Sequence, residues 1–582
     1  MAFRRKAGRG HRAYAVLVAL IGVCAVILGR RYVVDEIVTA PVPDSIADAG
    51  PSDRAVTWPR RFHWMALAFV PSSLLLGVTI HITTDVAAVP LLWVVPLVLY
   101  LLTFVFVFAR KPLLKHAWMV KAQAFLMMVI ALMHWWVYHL PPIFFFVHMA
   151  VFFVTAMVCH GELVKRRPAA EHLTEFYLWM SFGGMLGGVF NVLVAPVVFD
   201  TVYEYPLVLV FACMLRPNES GNTKLLNWRD VVFPGFILTA FLLPEASFGV
   251  HPLKLGLFWV VVFFVAVGLA AYSFNIRPLR FAFGIGAIFL ATTLSPKDDS
   301  PLLARERSFF GVNAVTLTHS GAYNVLMHGT TVHGAQHTDP DRWRKQLTYY
   351  HRDGPLGQLF AAIDGKMTLG NIGVLGLGSG TMVCYRCPGQ TWTLYEIDPV
   401  VVKLARDTRY FRYLSECAGD SEIVLGDARL SLAREPEGHF DLLIMDAFTS
   451  DAIPMHLITR EAMALYLGKL AEDGLIAFNI SNRNLDLSGV MGNLVKDAGL
   501  VALTQRFPGA SNRDLEPYKV PAYWVVVARH AAELHRLELD ERWKVLEPDP
   551  GTGVWTDDYS NILTVLKWWT KKAPKSDKKK QS

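Results

Sequence analysis

At 582 residues, with 53% hydrophobic residues and a net charge of +7, the chain is too long for one domain and too apolar to be water-soluble throughout. Its basic residues gather at Arg4, Arg5 and Lys6 and again over 571–580 with no interleaved aromatics, which argues against a nucleic-acid surface and for anionic lipid headgroups. Six cysteines, with Cys24, Cys159 and Cys213 inside apolar runs, do not read as a disulfide framework.

Residues 1–12 form a basic N-terminus, followed by the uncharged run 13–29. Arg30 and Arg31 come next with no small-residue cleavage site, so this run is expected to stay as a span. Beyond a polar stretch with Pro41, Pro43 and Pro51, apolar runs recur at 63–82, 86–109, 117–140, 143–159, 176–199, 205–215, 231–243, 253–274 and 281–294. A bilayer-crossing helix needs about 20 apolar residues. Residues 13–295 are therefore expected to be an integral membrane domain of nine or ten helices, with short runs near 210 and 237.

Arg110, Lys111 and Lys115 fall on one side with Lys165, Arg166 and Arg167 and with Arg216, Lys224 and Arg229, which the positive-inside rule makes cytoplasmic. The same count puts Arg277 and Arg280 inside and the soluble half outside. The supply of a cytosolic nucleoside argues the other way, and on that ground the soluble half is expected to be cytoplasmic. Gly183, Gly184, Gly187 and Gly188 suit close helix packing. The ionisable residues His81, Asp85, His160, Glu162, Glu171, His172 and Glu175 lie at run ends, where interfacial placement competes with a transport pathway.

From about residue 300 the pattern changes. Short runs rich in Val, Phe, Tyr and Thr at 308–318, 322–326 and 329–333 predict a small β-rich piece over 300–350. Residues 351–545 alternate instead. Helices are expected at 357–363, after the glycine turn, and at 399–406, 428–434, 459–470 and 489–498; strands are expected at 372–377, 391–397, 422–425, 441–445 and 475–480, with late strands near 501–505 and 523–528. Such alternation predicts an α/β doubly wound, Rossmann-like parallel sheet, with 546–582 as a C-terminal helix and basic tail.

Ligands of such a sheet bind at the carboxyl ends of its strands. There Gly376, Gly378, Ser379 and Gly380 form a turn whose backbone can approach a ligand closely, ahead of a segment with unpaired N–H groups. Glu396 follows Gly376 by twenty residues, where a carboxylate meets a ribose diol. Gly426, Asp427 and Ala428 open a further loop, and together these features predict a nucleoside-type cofactor site. Asp446 and Asp451, in MDAFTSDAIP, supply two carboxylates that would hold a cationic amine and accept its proton as it attacks an electron-poor carbon. The plainer alternatives are that Asp446 ends its strand and that Asp451 starts a turn before Pro454. Cys384 and Cys387 form a CxxC, but no second CxxC or His pair follows at zinc spacing. No metal is expected, and both read as partly buried helix cysteines.

The order VLGLGSG, YEID, GDAR, LLIMDAFTSDAIP and TREAM, over about residues 305–530, resembles the spermidine synthase family of aminopropyltransferases, whose core is the class I methyltransferase fold. HGTTVHGAQ is similar to that family's β-rich N-terminal piece, and the fused spans resemble bacterial integral-membrane spermidine synthase-like proteins. The resemblance implies a bacterial inner-membrane protein, S-adenosylmethionine or its decarboxylated form as co-substrate, and a small-molecule amine as acceptor, and it leaves room for a homodimer. It further implies that Glu396 binds the ribose hydroxyls and that Asp427 lies by the adenine. Asp446 would orient and deprotonate the amine, Gln336, closing the N-terminal hairpin, belongs with the cofactor, and Tyr350 lines the substrate pocket with Asp451.

Three departures weaken cation recognition. Ser379 stands where those enzymes carry an Asp, Asp446 and Asp451 are five apart where the family's acids are three apart, and Tyr350 is followed by His351 and Arg352 where an acid is usual. Asp557 and Asp558 could restore acidic character. Aminopropyl transfer, methyl transfer to another acceptor, and a transporter or scaffold whose soluble half binds a nucleoside or polyamine without turnover all stay open.

Overall fold

The computed structural model describes residues 56–85, 93–109, 113–136, 141–219, 226–248, 256–295, 300–329, 331–363, 370–448, 454–482, 485–510 and 516–567. The chain divides into two compact units, Met1–Arg60 and Arg61–Ser582. Of the first, only residues 56–60 are described, so the run 13–29 lies outside the described residues.

The apolar runs become helices: α1 (Trp58–Asp85), α2 (Val94–Phe108), α3 (His116–Met133), α4 (Pro141–Lys165) and α5 (Leu173–Val189), which passes through a π-helical turn at Phe190–Val194 into α6 (Ala195–Val198). Next come α7 (Glu204–Met214), α8 (Arg229–Phe248), α9 (Leu257–Ser273) and α10 (Pro278–Leu294). Nine or ten spans were expected from the apolar runs; five described stretches are long and apolar enough to cross a membrane, namely Trp58–Ile82, His116–Met133, Phe144–Lys165, Ala170–Val198 and Phe258–Ile276. Leu101, Val105, Phe146, Phe236, Phe258 and Trp259 are large apolar side chains left exposed on the helices of this half. Two of the four glycines on α5 do what their spacing predicts: a Cβ at Gly183 or Gly187 would lie 2.4 or 2.6 Å from the Met65 or Phe69 carbonyl oxygen of α1. Gly184 and Gly188 face open space.

Four antiparallel strands follow in the order β1-β2-β3-β4: β1 (Leu302–Ser308), β2 (Gly311–Thr318), β3 (Tyr323–His328) and β4 (Thr331–His337). β1 was not expected. Arg307 at its end makes a two-pronged ion pair with Glu204 at the start of α7, at 2.7 and 2.9 Å, and both side chains are buried.

After α11 (Pro355–Ile363), an eight-stranded sheet runs β12-β10-β11-β9-β8-β5-β6-β7. Its strands are β5 (Asn371–Leu375), β6 (Thr391–Glu396), β7 (Glu422–Leu425), β8 (Phe440–Met445), β9 (Leu470–Asn479), β10 (Val501–Phe507), β11 (Ala522–Ala528) and β12 (Lys544–Val545). β7-β6-β5-β8-β9 are parallel, as the helix–strand alternation requires. The sheet is not parallel throughout, because β11 inserts antiparallel between β9 and β10 and β12 pairs antiparallel with β10. Tyr466, Phe478, Leu494 and Trp555 pack on one face and Leu356, Leu359, Trp392 and Leu534 on the other. Burial of both faces is why β8 reads as an almost unbroken apolar run.

The helices of this half are α12 (Pro399–Arg406), α13 (Tyr413–Cys417), α14 (Ala428–Leu432), α15 (Arg460–Lys469), α16 (Ser488–Asp497) and α17 (Ala531–Glu538). The segment after the glycine turn is a 3-10 stretch, Thr381–Tyr385, and not the expected α-helix. The cysteines correct the expectation further: Cys384 is joined in a disulfide to Cys417 at the end of α13, with Cα atoms 4.9 Å apart, and Cys387 is free and exposed. Within 546–567 the only helical turn described is Ile562–Thr564, and 568–582 lie outside the described residues.

Candidate active site

The parallel strands all end on one edge. Gly376, Asp427 and Asp446 come one or two residues past β5, β7 and β8, while Glu396 and Asn479 are the last residues of β6 and β9. Backbone bonds of 2.8 Å stitch these ends together, from Gly376 N–H to the Tyr395 carbonyl, Gly426 N–H to Glu396 and Asp446 N–H to Leu375.

The glycine turn needs its glycines. Gly376 has φ +104°, and a Cβ there would come within 2.4 Å of the Asp446 carbonyl oxygen; Gly378 has φ +53° and would meet the His333 carbonyl at 2.9 Å. Ser379 is fully buried, and its hydroxyl shares a 2.9 Å bond with Thr381. It faces Gly334 of β4, where an added Cβ would lie 2.0 Å from the serine oxygen. Gly380, at φ +82°, caps the 3-10 stretch and packs toward Leu414.

Glu396 faces this turn. One carboxylate oxygen accepts Leu377 N–H and the other Asp398 N–H, both at 3.0 Å. Burial raises its pKa, opposed by these backbone bonds. Asp398, two residues on, caps α12 through Val400 N–H and accepts from Ser308 (2.7 Å) and Asn313 (3.0 Å), which fastens the β-rich piece to the cradle. Asp427 caps α14 through Leu430 N–H at 2.8 Å and has its other oxygen 3.4 Å from His456 Nε2. Half-exposed Ile397 adds an apolar face beside Glu396.

Asp446 is buried, accepts from the Tyr350 hydroxyl and, at 2.6 Å, from Asn479 Nδ2. Burial pushes its carboxyl up to about 7, against the pull of the two donors. Tyr350 comes from the 3-10 turn Thr348–Tyr350, where Thr348 has φ +60°, a conformation a β-branched residue seldom takes. Burial and the neighbouring Asp446 raise the tyrosine's pKa, so it stays a donor.

The expected residues divide. Gly376, Gly378, Ser379, Gly380, Glu396, Asp446 and Tyr350 converge on one edge, with Asp427 beside them. Asp451 lies outside the described residues. Gln336 is buried with its amide bridging backbone, donating to the Trp343 carbonyl at 2.9 Å and accepting Arg412 N–H at 2.7 Å, so it ties β4 to α13. Asp557 restores no acidity, because Arg429 grips it with two 2.8 Å bonds. A cavity of about 450 Å³ is lined by Arg344, Lys345, Gln346, His351, Arg352, Asp353 and Glu516; none of the strand-end acids lines it.

Two residues were missed. Asn479 carries no signal beyond its place at a strand end. His333 has an Nε2 shielded from solvent with no hydrogen-bond partner among the described residues, and burial pushes its pKa down to about 3. Among the described residues no cluster of His, Cys, Asp or Glu could hold a metal ion.

No family model matches the chain. In sequence it is similar to a known transferase. Over 111 residues it is 32% identical to the polyamine aminopropyltransferase of Vibrio vulnificus (strain CMCP6), a match covering 18% of this chain and 36% of that one. The chain thus spans about a third of the length of the curated relative it matches. Among solved structures it matches a probable spermidine synthase from Corynebacterium glutamicum ATCC 13032 at 14% identity, over 46% of this chain and 99% of that one, with a TM-score of 0.33. It also matches the spermidine synthase from Thermotoga maritima at 14% identity, over 43% and 80%, with a TM-score of 0.30.

Proposed function

We propose that the chain is a membrane-bound, spermidine synthase-like transferase that takes an adenosine-bearing sulfonium, S-adenosylmethionine or its decarboxylated form, and passes its aminopropyl or methyl group to a small amine. Gly376 to Gly380 approach the donor closely, Glu396 accepts from its ribose hydroxyls, and Ile397 and Asp427 flank the base. Asp446 accepts the proton that the amine loses as its nitrogen bonds to the carbon on sulfur; that carbon–sulfur bond breaks and the donor leaves as a neutral thioether.

The observation that carries this reading is Asp446: a buried carboxylate poised near pH 7, fixed by two neutral donors, one strand from a glycine turn. A base held near the working pH is available in ionised form without being too weak to take a proton. Methyl transfer is favoured by one feature. Ser379 leaves the middle of the turn without the carboxylate that would meet the free amino end of a decarboxylated donor.

Calorimetry of the full chain in detergent micelles, with S-adenosylmethionine, its decarboxylated form and methylthioadenosine, tests the reading. Tight binding of the decarboxylated compound alone supports aminopropyl transfer, and binding of S-adenosylmethionine supports methyl transfer. Binding of none of the three removes the enzyme and leaves a membrane-tethered scaffold.

A further inference from the structure

Contacts between the helices define two ends of the helical half. At one end, Arg216 after α7 donates to the Val120 carbonyl and to Gln123 in the first turns of α3, at 2.8 and 2.9 Å, and lies 5.2 Å over the Phe281 ring at the start of α10. His116 opening α3 bonds Glu162 near the end of α4 at 2.8 Å. Trp64 in α1 donates to the Arg166 carbonyl at 3.1 Å, and Arg61 pairs with Glu175 in the first turn of α5 at 2.5 Å. Arg277 pairs with Asp230 at the start of α8.

Of the described basic residues, that end collects Arg61, Lys115, Lys121, Lys165 to Arg167, Arg216, Arg229, Arg277 and Arg280. The opposite helix ends carry no Lys or Arg among the described residues; Lys254 and Lys297 belong to connections outside them. The α/β half is joined to this opposite end, through the chain after α10 and through the buried Arg307–Glu204 pair at the start of α7.

We infer that the α/β half stands on the non-cytoplasmic side of the membrane. Two observations carry it independently. Basic residues are retained on the cytoplasmic side during insertion, which assigns the Arg- and Lys-rich end to the cytoplasm and the α/β half to the other side. Within the α/β half, Cys384 and Cys417 form a disulfide, a bond that persists in oxidising compartments and is reduced in the cytosol. The expectation of a cytoplasmic soluble half rested on cofactor supply, and both observations run against it. The inference depends on the helical half crossing a membrane and not on the proposed transfer. Where both hold, a sulfonium nucleoside with a fixed charge does not cross lipid unaided, so the step upstream of the reaction is a transport step.

Cys387, exposed and free, is a ready reporter. Intact cells expressing the full chain are treated with a membrane-impermeant maleimide, before and after permeabilisation. The expected result is equal labelling in both, lost in Cys387→Ser. Labelling at least tenfold greater after permeabilisation overturns the inference. Should Cys387 react in neither case, Phe309→Cys in a Cys387→Ser background gives the same reading from a position that is 84% exposed. Acid-quenched thiol trapping supplies the second arm: Cys384 and Cys417 should take up maleimide only after reduction, and free thiols at both in untreated membranes would also overturn it. Neither arm reads activity, so a failed transfer assay and a wrong topology are told apart.

Discussion

Buried charge is handled in opposite ways in the two halves. In the helical half each buried acid among the described residues meets a cation: Glu204 with Arg307, Asp230 with Arg277 and Arg280, Glu162 with Arg166, Lys165 and His116. In the α/β half, Glu396 and Asp446 are held by backbone N–H groups, a phenol and an amide, with no cation bonded to them among the described residues. A paired buried charge is already compensated and serves the fold. An acid held only by neutral donors keeps its affinity for a proton or a polar ligand. The difference marks the edge formed by β5, β6 and β8 as the chemical part of the molecule.

Asp446→Asn is the change that tests this most severely. Turnover should fall by about 10²–10⁴-fold while donor affinity in calorimetry stays within twofold. Unchanged turnover would refute the base. Stability should move the other way. The folded-state pKa, raised to about 7, lies above that of an unfolded Asp, so the fold binds the proton more tightly than the unfolded chain does. Its stability then falls as pH rises from about 4 to 7, by on the order of a few kcal/mol. Asn removes that penalty, so the variant should melt higher than the parent at pH 8 and show a smaller gain at pH 5.

Arg307→Ala probes the other half of the contrast. It leaves Glu204 buried without its partner, at a cost of about 3–5 kcal/mol, read as a lowered melting temperature in micelles. Glu204→Gln together with Arg307→Met should recover most of the loss. If the double variant stays as unstable as Arg307→Ala, the pair does more than neutralise itself.

Glu396→Ala should weaken donor binding at least about 100-fold, since it removes the ribose acceptor and frees the Leu377 and Asp398 N–H groups it orders. Glu396→Gln separates the two roles, because its amide oxygen can still hold one N–H. A Gln variant that binds as the parent does would leave Glu396 with a purely structural task.

What could be read from the sequence follows from how far apart the cooperating residues lie. The glycine turn, Glu396 and Asp446 each announce themselves within a few positions, by an apolar strand that breaks at glycine or acid. The partners that complete the site do not. Asn479 meets Asp446 across 33 positions, Cys417 meets Cys384 across 33, and Arg307 meets Glu204 across 103. Nothing local in IAFNIS or in YLSEC signals these meetings, which only the tertiary fold creates. The direction of β11 is hidden for the same reason: its apolar pattern is that of any doubly buried strand, and direction leaves no trace in it.

The gentlest change, Tyr350→Phe, asks whether the phenol or only its ring matters. The hydroxyl donates to Asp446 and so lowers that carboxyl's pKa against the raising effect of burial. Without it the ionised form loses a donor, the pKa rises above about 7, and the rising limb of the pH–rate profile shifts to higher pH. The loss at pH 7 should be about tenfold, the worth of one hydrogen bond to a charged group, and should shrink at pH 9, where Asp446 is ionised in both proteins. A pH-independent loss would mean that Tyr350 acts by packing beside the substrate. An unchanged profile would show that Asn479 alone suffices to set the acid.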